Sequence, residues 1–136
     1  MSDPDSELIA AARAMVGEMK LGKGASAGSV GAAIRTMQGD VFTGICIDLE
    51  CGLGFCAEVS AITQMLARRQ TRIDVVVAVT QEKILPPCGR CRETMRETMA
   101  QIDIRNLDCK VIIGDGETVR LRDLLPHHWL GKGENS

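Results

Sequence analysis

Ile73-Asp74-Val75-Val76-Val77-Ala78-Val79-Thr80 decides how this chain folds. The run is short, β-branched and bounded at both ends, which suits a strand buried on both faces of a sheet. On its N-terminal side, Val59, Ile62, Met65 and Leu66 recur at helical spacing. They predict a helix from Cys56 to about Arg69. On its C-terminal side, Pro86-Pro87 blocks helix and strand alike. A helix is expected beyond it, from Gly89 to about Ile102.

Further out, Asp3-Pro4 reads as an N-cap followed by proline in the first helical turn. Leu8, Ala11, Ala12, Met15, Val16 and Met19 then predict a helix from Pro4 to Lys20, stopping near Gly22-Lys23-Gly24. The Gly, Ala and Ser-rich stretch 22–31 reads as a loop entering a strand, or as a loop lining a substrate. It lacks phosphate-loop spacing. Val30 to Met37 and Val41 to Asp48 read as strands joined by a turn at Gln38-Gly39-Asp40. Gly52-Leu53-Gly54 is a loop. Cys109 to Gly114 and Thr118 to Leu121 read as strands around Asp115-Gly116, with a last helical turn at Leu121 to Leu125. The order α-β-β-α-β-α-β-β predicts an α/β fold, a three-layer α-β-α sandwich around a five-stranded mixed sheet. One domain is expected over residues 1–136, with residues 131–136 as a flexible tail.

Bulk properties exclude several functions. The chain carries 16 basic and 18 acidic residues, and aromatics make up 2%. Neither a basic face nor a stacking platform argues for a nucleic acid polymer as partner. No apolar run approaches the ~20 residues of a membrane helix. The N-terminal Met1-Ser2-Asp3-Pro4-Asp5 does not read as a signal peptide, so a cytoplasmic location is expected. In a reducing compartment, clustered cysteines point to metal or catalysis rather than disulfides.

Cys56, Cys88 and Cys91 form such a cluster with Glu58. Three thiolates suit zinc and leave the fourth tetrahedral position for water. Cys56 is expected at the start of one helix, and Cys88 and Cys91 at the start of the next. Helix N-termini favour thiolates, and Arg90 and Arg92 add positive charge. Glu58 lies too close to Cys56 to be a convenient ligand and is placed to move protons. Two other readings remain open. Cys88-Gly89-Arg90-Cys91 could be a redox dithiol, and Cys46, Cys51, His127 or His128 could close a structural zinc site. His127 and His128 otherwise read as exposed or satisfied residues. Cys46, Cys51 and Cys109 read as small buried hydrophobes.

Cys56-Ala57-Glu58 with Pro87-Cys88-Gly89-Arg90-Cys91-Arg92 closely resembles the signature of the cytidine deaminase family. Ser29-Val30-Gly31-Ala32-Ala33-Ile34 resembles that family's first strand, residues 39–44 its hairpin and Leu124-Leu125-Pro126 its C-terminal end. The resemblance spans roughly residues 5 to 130. It implies zinc on Cys56, Cys88 and Cys91, with Glu58 as proton shuttle and the Ala57 backbone contacting the base. It also implies hydrolytic loss of ammonia from C4 of a cytosine nucleoside such as cytidine or deoxycytidine. A homotetramer, or a dimer, is the assembly it implies.

The sugar and base contacts depart from the family. Its Asn and Glu on the second strand, which hold ribose, are matched by Cys46 and Asp48. Gly28 stands where a Phe often packs on the base, Val59 replaces an Arg, and Glu93 replaces a Gln. Val59 and Cys-Gly-Arg-Cys are more similar to the blasticidin-S deaminase branch, as is Trp129 near the C-terminus. A modified nucleoside or base is therefore the alternative substrate. A non-catalytic zinc protein of the same fold is the alternative function.

Overall fold

The computed structural model describes residues 3–131. Its elements run α1 (Pro4–Ala14), β1 (Met19–Gly22), β2 (Ala25–Thr36), β3 (Val41–Leu49), α2 (Ala57–Ala67), β4 (Ile73–Val79), β5 (Ile84–Leu85), α3 (Gly89–Ile102), β6 (Lys110–Gly114) and β7 (Glu117–Arg120). Short 3-10 turns at Ile104–Asp108 and Leu121–Leu124 follow α3 and β7.

β4 takes the central place that its composition demands. It pairs antiparallel with β2 on one edge and parallel with β6 on the other. Val75, Val77 and Val79 pack beneath α1 with Leu8 and Ala12, while Val76 and Ala78 pack beneath α2 and α3 with Ala61, Met65, Met95 and Met99. This alternation makes three layers from one strand. Ile73 joins the α2/α3 side because the β2–β4 register skips Asp74.

The sheet is mixed, as expected, but has seven strands rather than five. The first extra strand, β1, begins within the last two residues of the predicted first helix. α1 ends at Ala14, and the Gly17 N–H bonds to the Gly28 carbonyl at 2.8 Å. Met19 and Lys20 then pair with Ala27 and Ser26. Met15 and Met19, read as one helical stripe, are both exposed. The second extra strand, β5, is a two-residue pairing of Ile84 and Leu85 with the end of β4. β2 also starts five residues before the expected Val30, at Ala25. The rest of the predicted tail, residues 132–136, lies outside the described residues.

Two details fix the helices that carry the cysteines. A Cβ on Gly44 of β3 would lie 2.5 Å from the Ala61 nitrogen and 2.7 Å from the Ala57 carbonyl. Only glycine lets α2 approach this closely. Gly44→Ala should cost about 1–3 kcal/mol by overpacking. It should also weaken zinc binding, because α2 carries Cys56; thermal melts and metal titration check both. At the other end, buried Asn106 accepts from the Ile73 N–H at 2.8 Å and donates to the Thr71 and Met99 carbonyls. It ties the end of α3 to the start of β4 with its amide fully used.

Candidate active site

Cys56 is the N-cap of α2 and Cys88 the N-cap of α3, both with extended backbone and neither spending its side chain on a cap bond. Cys91 follows in the first turn of α3 and is 1% exposed. The Cys56 and Cys88 sulfurs lie 3.6 Å apart, and those of Cys88 and Cys91 3.7 Å. Tetrahedral zinc with sulfurs at about 2.3 Å places them about 3.8 Å from one another. The donor set therefore fits zinc in type and spacing.

Glu58 faces the cluster from α2, 4% exposed, with Oε1 3.7 Å from Cys91 Sγ. Burial raises its pKa, partly offset by its backbone N–H and the Cys91 thiol. Burial also raises Cys91 strongly and Cys56 to a lesser degree. Cys88 goes the other way: burial pushes it up, but the N–H groups of Cys91 and Arg90 and the neighbouring thiols outweigh that. This is the thiolate-stabilising helix N-terminus expected from the sequence.

The cluster opens into a cavity of about 390 Å³. Cys46, Asp48 and Ala57 lie in its wall, together with Ser29, Val30 and Phe55. Cys46 Sγ donates to Asp48 Oδ2 at 3.7 Å and lies 3.3 Å from Ser29 Oγ. Ser29 has no metal-binding or titrating chemistry to mark it, and only the β2–β3 pairing brings it beside Cys46. Arg90 Nη1 donates to the Gly54 carbonyl at 2.6 Å, fastening the 52–54 loop beside the pocket. Gly28 explains the missing Phe. Its φ is +89°, and a Cβ there would lie 2.3 Å from the Gly17 carbonyl oxygen. A side chain at this bulge would be strained and would collide with the backbone.

Among the described residues, none of the alternative fourth ligands joins the cluster. Cys46 bonds toward Asp48, and Cys51 is exposed rather than a buried hydrophobe. His127 is exposed, and His128 Nε2 pairs with Glu93 Oε2. That pair gives Glu93 a partner in the C-terminal segment. Cys109 lies in the core as expected, its pKa pushed up to about 12 by burial and by nearby Asp108 and Asp74. Trp129 is 71% exposed and lies outside the cavity wall.

Comparison with known proteins agrees with this geometry. Residues 4–104 match the family model for the cytidine and deoxycytidylate deaminase zinc-binding region. A blasticidin-S deaminase from Bacillus cereus is 31% identical over 110 residues, 71% of this chain and 74% of that protein. A cytidine deaminase from Halalkalibacterium halodurans is 31% identical over 103 residues, with the same coverage of 71% and 74%. Among solved structures, the cytidine deaminase of Mycobacterium leprae superposes with a TM-score of 0.73 at 25% identity, covering 93% of this chain and 100% of that one. That of Burkholderia pseudomallei gives 0.71 at 26% identity, covering 95% and 100%. The chain belongs to the cytidine and deoxycytidylate deaminase family. It is a zinc-dependent hydrolase of the aminohydrolase class, with zinc as its cofactor.

Proposed function

We propose that this chain hydrolytically deaminates a free cytosine nucleoside, cytidine or deoxycytidine, or a cytosine nucleoside analogue. The observation that carries the reading is Glu58, a buried carboxylate 3.7 Å from a cluster sulfur at a nucleoside-sized cavity. Zinc, when bound by Cys56, Cys88 and Cys91, supplies an activated water at neutral pH. Glu58 accepts a proton from the attacking water and delivers it to ring N3, which makes C4 electrophilic. The water oxygen bonds to C4. Glu58 then carries the second water proton to the exocyclic amine, the C4–N bond breaks, and ammonia leaves. A carboxyl whose pKa is raised by burial suits a group that must hold and release protons near neutrality. The Ala57 backbone orients the base, Phe55 offers an apolar wall, and Asp48 accepts from sugar hydroxyls.

Cys46 and Gly28 favour a second reading, a modified cytosine nucleoside or base, of which blasticidin S is one example. A thiol is a poor partner for a hydroxyl, and a mismatched hydroxyl contact shifts discrimination by orders of magnitude. An ammonia-release panel of cytidine, deoxycytidine, cytosine, 5-methylcytidine, blasticidin S and aminopurines tests both readings. Turnover of a cytosine nucleoside supports the proposal, and turnover of aminopurines alone contradicts it.

We further infer a single catalytic domain that assembles as a homotetramer, or a dimer, in the cytoplasm. Exposed Leu53, Phe55 and Trp129 support burial against a second copy, which light scattering checks. No described helix is long and apolar enough to cross a membrane.

A further inference from the structure

A bulge in β2 sets a serine against the wall of the zinc cavity. Ala27 pairs with Ile47 and Gly31 with Ile45, which leaves Gly28, Ser29 and Val30 opposite Cys46 alone. Side chains alternate faces along a regular strand. Here Ser29 Oγ meets Cys46 Sγ at 3.3 Å, while Val30, the next residue, packs against the core cluster that contains Cys46. The irregularity has turned both side chains to one face, as bulges beside binding sites do. Gly28 holds it in place. Its carbonyl accepts from the Gly17 N–H at 2.8 Å, and its positive φ would strain any side chain.

Hydrogen bonding then fixes what this wall offers. Cys46, 5% exposed, gives its S–H to Asp48 Oδ2 at 3.7 Å. A thiol carries one proton, so the serine hydroxyl is the donor in the Ser29–Cys46 contact. The lone pairs of Ser29 Oγ are left over. Among the described residues, no other side-chain hydrogen bond engages Ser29 or Asp48. Two acceptors therefore flank one sulfur in the cavity wall, close enough for donors on neighbouring atoms of one ligand.

We propose that Ser29 is a specificity-determining residue, accepting from one hydroxyl of a sugar cis-diol while Asp48 accepts from the other. The serine on β2 takes over the hydroxyl that the Cys46 thiol partners poorly. The preferred substrate is then a ribonucleoside rather than either of its deoxy counterparts. The inference rests on the zinc pocket being a nucleoside site and deepens that reading.

Equilibrium binding to the zinc-loaded protein tests the wall apart from turnover. The ligands are uridine, 2′-deoxyuridine and 3′-deoxyuridine, with the 2′-fluoro and 3′-fluoro deoxy analogues as ligands that cannot donate. Loss of either hydroxyl should weaken binding about tenfold, the effect of one hydrogen bond, and fluorine should not restore it. Ser29→Ala should erase the penalty at one position and keep it at the other, which identifies the hydroxyl that Ser29 reads. Ser29→Thr retains the side-chain oxygen and should keep both penalties. Uridine bound no more tightly than the deoxy ligands, full recovery by fluorine, or a Ser29→Ala variant that weakens every ligand alike overturns the proposal. A parallel ammonia assay with cytidine and its two deoxy counterparts separates the two claims. If cytidine releases ammonia but the hydroxyls make no difference to binding, the Ser29 assignment alone fails. If none releases ammonia while the binding series behaves as stated, the deaminase reading fails and the Ser29 assignment stands.

Discussion

Glu58→Gln should lower ammonia release by at least about 10³-fold while the protein keeps one zinc per chain. General acid–base catalysis alone contributes about 10²–10⁴-fold, and Glu58 is asked to move both protons of the water. Gln keeps the volume and the contact with Cys91 but cannot shuttle a proton. The metal should remain, because the three sulfurs supply the donor set without Glu58. A stability effect accompanies the loss. Burial raises the Glu58 pKa, so the carboxylate destabilises the zinc-free fold above its folded pKa. That penalty fades as pH falls and disappears below the ordinary carboxylate range. Zinc-free Glu58→Gln should therefore melt higher than the parent at pH 7–8 and equal to it near pH 4. Wild-type turnover in the variant contradicts the mechanism.

Cys91→Ala should empty the metal site and abolish activity together. Cys91 is the buried cysteine of the three, and the two remaining thiols should not hold zinc against chelators. Zinc binding should also depend steeply on pH. Burial raises the Cys56 and Cys91 thiols, so at pH 7 the zinc-free protein holds protons that the metal must displace. Calorimetry in buffers of different ionisation enthalpy should report release of about two to three protons per zinc. Affinity should rise with pH across the neutral range. Chelation at free zinc 1,000-fold above Kd removes about 4 kcal/mol, a fall of roughly 10–15 °C in Tm for a chain of this size. A Cys91→Ala protein that retains stoichiometric zinc contradicts the assignment.

The zinc cluster was legible in the sequence because its signals are local. Cys88 and Cys91 sit within one turn of α3, and both helix starts follow from proline and from apolar spacing. Between them, β4 announces itself through β-branched residues that meet helices on both faces. What escaped depends on pairing between distant residues. Met19 fits a helical stripe as well as an edge strand, and only its pairing with Ala27 decides. β5 is too short to leave a pattern. The Ser29–Cys46 contact exists because of strand register, which composition does not encode. Gly28 lies between these cases. The sequence marks it as a missing aromatic, and the structure supplies the reason in its positive φ and the carbonyl of Gly17.

The departures share one consequence. The cysteine cluster and Glu58 sit on α2 and α3, whereas β2 and β3 line the adjoining cavity. The first set keeps the Cys56-Ala57-Glu58 and Pro87-Cys88-Gly89-Arg90-Cys91 signature, with Val59 and Glu93 as departures beside it. The second has Cys46 where the family places a ribose-holding Asn, and Gly28 where it often places a Phe. The family's cysteine cluster thus stands beside a cavity wall that departs from the family's pattern.

The zinc K-edge absorption spectrum of the resting protein tests the central claim most directly. An open catalytic site predicts three sulfurs at about 2.3 Å and one oxygen at about 2.0 Å. A fourth protein ligand, whether sulfur or imidazole nitrogen, would show a closed structural site and contradict the account.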